Sequence, residues 1–367
     1  MADIFQEDLD FKQRDEQIKQ LFHIGECFDI IRRHLVIGGK QAAFYAVDGF
    51  LNGDLVEKMM EFFYSIKGKE MPKDFAGFLQ DAVPYMDIMK LEDQEAFTKA
   101  MLSGMCCLLL EDYNQILAMD LRVYPSRSVE EPDKDKVLRG SRDGFIESLM
   151  PNVTLVRRRI RDTNLIFSLE SVGRSSKTDI AICYMKDRVK EDVLKKIKER
   201  IKSINVDSLT MNQESLAESI FPKGWLNPFP KLKYTERPDT TAACLLEGSV
   251  VILCDNSSAA MILPTSLFDI IEDANDYYFP PVTGTYLRLS RMAINIIAVF
   301  LTPVFLLLLE NPEWVPPAFE FIQIKDAINI PPIVQLLILE VAIDGLRMAS
   351  VNTPSMLTTP LSIVLKK

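Results

Sequence analysis

Histidine is nearly absent from this chain of 367 residues; only His23 and His34 occur. Neither stands in an H-E-x-x-H pattern or beside spaced cysteines, which argues against the common His/Cys metal sites. Cysteine-pair motifs are missing as well. The six cysteines, at 27, 106, 107, 183, 244 and 254, form no C-x-x-C, and most lie in apolar runs. They read as reduced, buried thiols of a cytoplasmic compartment. No G-x-S-x-G elbow occurs. A phosphate-binding glycine loop is lacking too. In "SVGRSSKTD" (171–179), Ser171 and Ser176 stand where that loop needs glycine, and Lys177-Thr178 precedes a strand pattern instead of opening a helix. Positive charge is in deficit. A formal charge of −10 and an isoelectric point near 5.0 argue against a nucleic-acid partner, which needs a basic footprint. The opening "MADIFQEDLDFKQRDEQ" is polar and acidic, unlike a secretory signal. Nothing in these patterns implies a cofactor or an enzyme.

What is present is apolar bulk: 48% hydrophobic residues against 26% charged, a composition that folds. Residues 292–309, "MAINIIAVFLTPVFLLLL", run without one charge. As a helix this run is about 27 Å long, close to the roughly 30 Å hydrocarbon core of a bilayer. Arg288 and Arg291 precede it, while Glu310, Glu313 and Trp314 follow, so its N-terminal side is expected in the cytoplasm. A second helix is expected over 330–350, "IPPIVQLLILEVAIDGLRMAS", either spanning or lying at the interface. Glu340, Asp344 and Arg347 interrupt its apolar pattern; the first two share a helix face, and the last two are close enough to pair. Charges at membrane depth usually face a bundle interior or a water-filled path, which makes this trio a candidate polar pathway.

The pattern before the membrane segment reads as an α/β region of two subdomains joined by a helical connector. A helical segment is expected over 1–33, with its helix at 9–33. The first subdomain, 34–124, has strands at 34–39 and 42–47, helices at 53–66 and 93–102, and a hairpin within 106–121. The connector covers 125–163. In the second subdomain, 164–285, strands at 164–172 and 179–185 precede helices at 187–204 and 212–220. A hairpin over 241–256, turning at Glu247-Gly248, and a helix capped by Thr265 complete it. Strands, helix, helix, hairpin thus recur without any residue-level repeat. Residues 286–367 form a partial membrane domain of one or two transmembrane helices.

The connector holds a basic block, Arg157, Arg158 and Arg159, behind a turn with Arg139 and Arg142. A helix continuing from Phe145 places Leu149, Val153, Val156 and Ile160 on one stripe. Three readings of the arginines stay open: structural ion pairs, with "EEPDKD" (130–135) as a source of partners; contact with a partner or anionic lipid; and capture of a small anionic ligand. Asp255-Asn256-Ser257-Ser258 reads as a turn built by its own side chains.

Several long stretches together resemble the GerA-type spore germination proteins. They are "YPSRSVEEPDKDKVLRGSRDGFIESLMPNVTLVRRRIRD" (124–162), "SLTMNQESLAE" (208–218), "NPFPKLKYTERPDTTAACLLEG" (227–248), "ILPTSLFDIIEDANDYYFPP" (262–281) and "LRMASVNTPSMLTTPLSIV" (346–364). The wording of 234–239 and of "IKDAINIPPIVQ" (324–335) is similar to the stage V sporulation AF branch. The resemblance implies a non-enzymatic membrane protein of the spore inner membrane, its N-terminal domain on the core side. It also implies a role linked to ion release from the spore core, and homo- or hetero-oligomeric assembly with other germination membrane proteins in the lipid bilayer. Relatives continue with further membrane helices after the equivalent of Val364, so a C-terminally truncated product is expected. The competing expectation is a peripheral module whose α/β domain captures a small anionic ligand or a partner.

Overall fold

The computed structural model describes residues 3–6, 9–81, 83–85, 87–124, 141–209, 211–221, 231–271, 278–323 and 330–351. It divides into two units, Met1–Gly284 and Thr285–Lys367.

In the first unit, β-branched and aliphatic residues open the first ladder. Strand β1 (Ile30–Ile37) pairs antiparallel with β2 (Lys40–Val47), from Ile30 opposite Val47 down to Ile37 opposite Lys40. Gly38 and Gly39 close this hairpin with φ of +55° and +82°, as a two-residue primed turn requires. Strands β3 (Ile88–Leu91), β4 (Cys106–Leu110) and β5 (Ile116–Met119) complete a five-stranded sheet of order β1-β2-β4-β5-β3. The second sheet contains β6 (Leu165–Val172), β7 (Thr178–Met185), β8 (Lys233–Thr235), β9 (Val250–Cys254) and β10 (Ala260–Leu263). Its order, β6-β7-β9-β10-β8, is the same arrangement five strands later, antiparallel throughout. The recurrence that the sequence suggests only as a pattern is thus a repeat of topology.

Helices cover the sheet faces. Helices α2 (Gly53–Ser65) and α3 (Phe75–Asp81) bury Met59, Phe63, Phe75 and Phe78 against one face of the first sheet. Helix α4 (Gln94–Leu102) and helix α1 (Phe11–Leu21) contribute Phe97, Met101, Ile18 and Leu21 to a second core. That core continues into the second sheet through Ile166, Ile180 and Ile182, beneath α6 (Glu191–Lys202) and α7 (Gln213–Ile220). Helices α5 (Leu149–Arg159) and α8 (Pro238–Leu246) cover the remaining face of the second sheet.

Several elements differ from expectation. The helix expected over 9–33 starts at the Asp10 capping box but ends at Phe22. His23 and Gly25 adopt positive φ, and the residues from Ile30 onward join the ladder instead. The hairpin expected over 241–256 is helix α8 followed by β9. Pro238 opens the helix at its first turn and Gly248, at φ +95°, ends it; the actual hairpin joins β9 to β10. Ser266, not Thr265, caps the short α9 (Leu267–Ile271), exchanging hydrogen bonds with Asp269. The connector helix begins at Leu149, not Phe145. Asn152 holds the preceding backbone in a turn, accepting from Ile146 N at 2.8 Å and donating to Ile146 O at 2.5 Å.

The second unit follows α10 (Pro281–Glu310) with α11 (Pro332–Val351). Among the described residues α10 is the one helix long and apolar enough to cross a membrane. Its span is about 45 Å at 1.5 Å per residue. Ile294, Val299, Phe300 and Leu301 are each more than 60% exposed, as a lipid-facing helix would be without its lipid. Helix α11 carries Glu340, Asp344 and Arg347, all exposed, at spacings of four and three residues.

Phe22 is fully buried and meets the Phe97 ring edge-on at 5.5 Å, inside the core shared by both sheets. Phe22→Ala is expected to cost roughly 3–5 kcal/mol. Thermal unfolding should show both sheets losing stability in one transition.

Candidate functional site: an arginine junction in the connector

Helix α5 is built on the 3.6-residue period: Leu149, Val153, Val156 and Ile160 are buried in the core of the second sheet. Its first turn is fixed by Asp255, whose Oδ1 accepts from Leu149 N at 3.1 Å. On its other side the helix meets the first sheet's unit. Gly49 lies so near that a β-carbon there would overlap the Thr154 hydroxyl. The last turn then fans three arginines into three environments.

Arg157 is completely buried. Its Nε donates to Asp29 Oδ2 at 2.8 Å and its Nη2 to Asp29 Oδ1 at 3.1 Å, a two-pronged pair with a carboxylate that is itself 1% exposed. Nη2 also donates to Leu165 O at 3.1 Å, and the guanidinium lies 4.7 Å from the Phe167 ring centre. Burial opposes its charge, but the Asp29 carboxylate outweighs burial and holds its pKa above the ordinary value. Burial pushes the neighbouring Cys27 thiol up to about 11, so it is a neutral, inert thiol at physiological pH. Around this pair the chain crosses between sheets: Phe28 N donates to Phe167 O at 3.1 Å, and Asp48 N donates to Asp29 O at 2.8 Å.

Arg158 is exposed and covers the Tyr124 ring at 4.3 Å, while the Tyr124 hydroxyl donates to Ser103 O at 2.9 Å. Arg159 pairs with Asp143 Oδ2 at 2.5 Å and reaches Ser141 Oγ at 3.2 Å. Burial would raise the Asp143 carboxyl, but the hydrogen bonds from Arg159 and Ser141 together with the Arg159 charge outweigh it and hold it below the usual range. Arg142 is exposed; Arg139 and the acidic 130–135 stretch lie outside the described residues. The carboxylates found on Arg157 and Arg159 are therefore Asp29 and Asp143.

A second buried arginine continues this network. Arg237, at the start of α8, donates to both oxygens of Asp239 at 3.0 and 2.6 Å, and to Ser141 O at 2.7 Å. The Tyr278 hydroxyl donates to the same Asp239 carboxylate. Burial would raise the Asp239 carboxyl; the hydrogen bonds from Arg237, Tyr278 and Thr240 N together with the Arg237 charge outweigh it and hold the carboxyl below the usual range. Tyr278 stands three residues before Pro281, where α10 begins. A polar path therefore runs from the root of α10 through Asp239, Arg237, Ser141 and Asp143 to Arg159 on α5. Two residues earlier on the same helix Arg157 grips the first sheet's entry turn. Asp29, Arg237 and Asp239 are not among the candidate site residues read from the sequence, although 237 and 239 fall in the stretch that carries the family resemblance. Asp29 falls inside a stretch read as helix, and its partner lies 128 positions away.

Among the described residues no cluster of His, Cys, Asp or Glu could hold a metal ion, and all six cysteines are buried thiols in no disulfide.

Removing one partner of the buried pair leaves the other charge stranded, at a cost of roughly 3–5 kcal/mol. Arg157→Met and Asp29→Leu should each destabilise the first unit by that order. The double variant should lose much less than the sum, read as a coupling energy in denaturant unfolding. Asp143 and Asp239 both have folded pKa values below their unfolded ones. Their contribution is therefore in place above the ordinary carboxylate range and is lost as pH falls through the depressed values. Melting temperature measured from pH 7 downward should fall less steeply for Asp239→Asn, which has no carboxylate to protonate.

Similarity to known proteins fits this architecture. The profile of the "Bacillus/Clostridium GerA spore germination protein" family matches residues 16–365. The chain is 34% identical over 353 residues to stage V sporulation protein AF of Bacillus subtilis, covering 96% of this chain and 71% of that protein. It is 26% identical to the membrane protein YfkQ of the same organism, covering 92% and 66%, and 27% identical to its spore germination protein A1, covering 76% and 58%. Apart from the first of these three, it spans less than two thirds of their length. In fold it is similar to the N-terminal domain of the A subunit of the Bacillus megaterium spore germinant receptor GerK3, with a TM-score of 0.53 and 23% identity over 70% of this chain and 95% of that one. This chain belongs to the GerA family of spore germination proteins.

Proposed function

We propose that the chain is a membrane-anchored, accessory or receptor-like subunit of a spore germination assembly, linked to ion release from the spore core. The two-sheet unit acts as a conformational element rooted on α10, and the connector carries displacement between the sheets and that root. The observation that carries this reading is the run of charged hydrogen bonds from Tyr278 beside α10 to Arg159 on α5, the helix that two residues earlier bears Arg157 and its separate pair with Asp29 at the first sheet. Buried ionic networks have few intermediate arrangements, so a shift at one end is favoured to repack the other.

The rest follows from the family and from α10. Arg288 and Arg291 ahead of the apolar run favour a core-side position for the two-sheet unit in the spore inner membrane. Ion movement is placed in a homo- or hetero-oligomeric assembly with other germination membrane proteins. Within that assembly Glu340, Asp344 and Arg347 of α11 line the polar route. No catalytic step is assigned to the chain.

Two measurements test this. The chain should stay in the membrane fraction after carbonate washing; release into the supernatant contradicts a spanning α10. Spores carrying Glu340→Gln or Asp344→Asn at unchanged protein level should release ions several-fold more slowly, since each removes a charge from the route. Release at the parental rate removes α11 from the pathway.

A further inference from the structure

The second sheet's unit carries a groove of about 450 Å³ between α6 and the turn from β10 into α9. Its floor is apolar, with Ile197 and Leu263 buried beneath it. Its rim is cationic. Lys196 and Arg200 stand one helical turn apart on α6, and Lys231 approaches from the segment two residues before β8. The Arg200 guanidinium and the Lys231 ammonium lie 5.1 and 5.2 Å from the centre of the same Phe221 ring. Among the described residues neither has a carboxylate partner, and Lys196 meets Asp192 only at 4.0 Å with both side chains 70% exposed. Two unneutralised cations sharing one ring repel each other; the ring offsets part of that cost, and an anion between them would offset the rest. Such an arrangement is notable in a chain of net charge −10.

Apolar surface extends from the groove. Leu267 forms part of its wall at 49% exposure, and Phe268 beyond it is 57% exposed. The acid of this helix, Asp269, is turned back onto Ser266 N at 2.7 Å, so it does not break the apolar face with a free charge. Ten residues after Ile271, α10 begins.

We propose that this groove is a binding site for an anionic phospholipid, with the phosphate held by Arg200, Lys231 and Lys196 and an acyl chain laid along Ile197, Leu263 and Leu267. A free phosphate would satisfy the cations and leave the apolar floor and Phe268 in water. An anionic amphiphile satisfies both, and a bilayer is the source of such molecules to a chain carrying α10. The site rests on the reading that α10 enters a membrane. It makes the unit's attachment sensitive to the anionic fraction of the lipid.

The test is hydrogen–deuterium exchange of the full chain in nanodiscs of phosphatidylcholine alone, or with about a third phosphatidylglycerol. Exchange in 193–200 and 263–271 should slow by roughly thirtyfold in the anionic discs, the order expected for two cations that each gain about 1 kcal/mol at an anionic surface. Arg200→Gln/Lys231→Gln should abolish the difference while leaving thermal unfolding unchanged. Inorganic phosphate added to the neutral discs should not reproduce the slowing. Equal exchange in both discs, slowing that survives the double substitution, or slowing by phosphate alone overturns the lipid site. Protection of 292–309 is read in the same experiment. Its loss in both discs refutes the spanning helix, whereas its presence without any lipid-dependent change refutes only the groove.

Discussion

A guanidinium and a carboxylate taken out of water together are stable only while each keeps the other. Arg157 and Asp29 meet that condition with two prongs, a fully buried arginine, and the Asp162 and Leu165 carbonyls accepting further guanidinium hydrogen bonds. Everything between the two sheets is arranged around the pair. The turn that bears Asp29 hands the chain from α1 into the first ladder, and the helix that bears Arg157 lies on the second sheet. Sliding one sheet past the other would separate the charges in a low-dielectric site, where their attraction is strongest and rescue by water is least available. The pair adds little net stability over an apolar substitute; its contribution is to penalise every other relative placement.

The same logic recurs at lower burial along the connector. Arg159–Asp143 and Arg237–Asp239 join through Ser141, which offers its hydroxyl to one and its carbonyl to the other. Tyr278 then brings the beginning of α10 into the Asp239 carboxylate. Under the proposed role the chain responds to an event elsewhere in its assembly. A chain of ion pairs with few intermediate states gives such a protein a way to be either locked or released. The anionic-lipid groove on α6 would add a second input, through the composition of the membrane.

Much of this fold was legible in residue order, and the parts that were not share a cause. The stripe Leu149, Val153, Val156, Ile160 is periodic, so the connector helix could be read locally, although its start could not: Asn152 bends residues 145–148 out of helix by hydrogen bonds that no periodicity reports. Strands β3 and β8, only four and three residues long, exist because β5 and β10 offer free edges, so no pattern in "IMKL" or "KYT" announces them. In "TAACLLEGSVVILC" an apolar run suits either helix or strand, and Pro238 and Gly248 were the signals that decide it. The arginines were recognised as architectural candidates from composition. Their partners were not, because Asp29 is distant in sequence and sits where α1 had been extended too far. The charges of α11 were visible from the start as breaks in an apolar pattern.

The central claim is that the root of α10 and the connector helix form one mechanical unit. Its most direct test is hydrogen exchange of the α5 amides, 149–159, in the full chain carrying Tyr278→Phe. That substitution removes one hydroxyl from Asp239 and touches nothing on α5. The expected result is faster exchange along α5, at constant exchange in the distant α2. Unchanged α5 exchange would show that the network ends at Asp239, and would contradict the coupling.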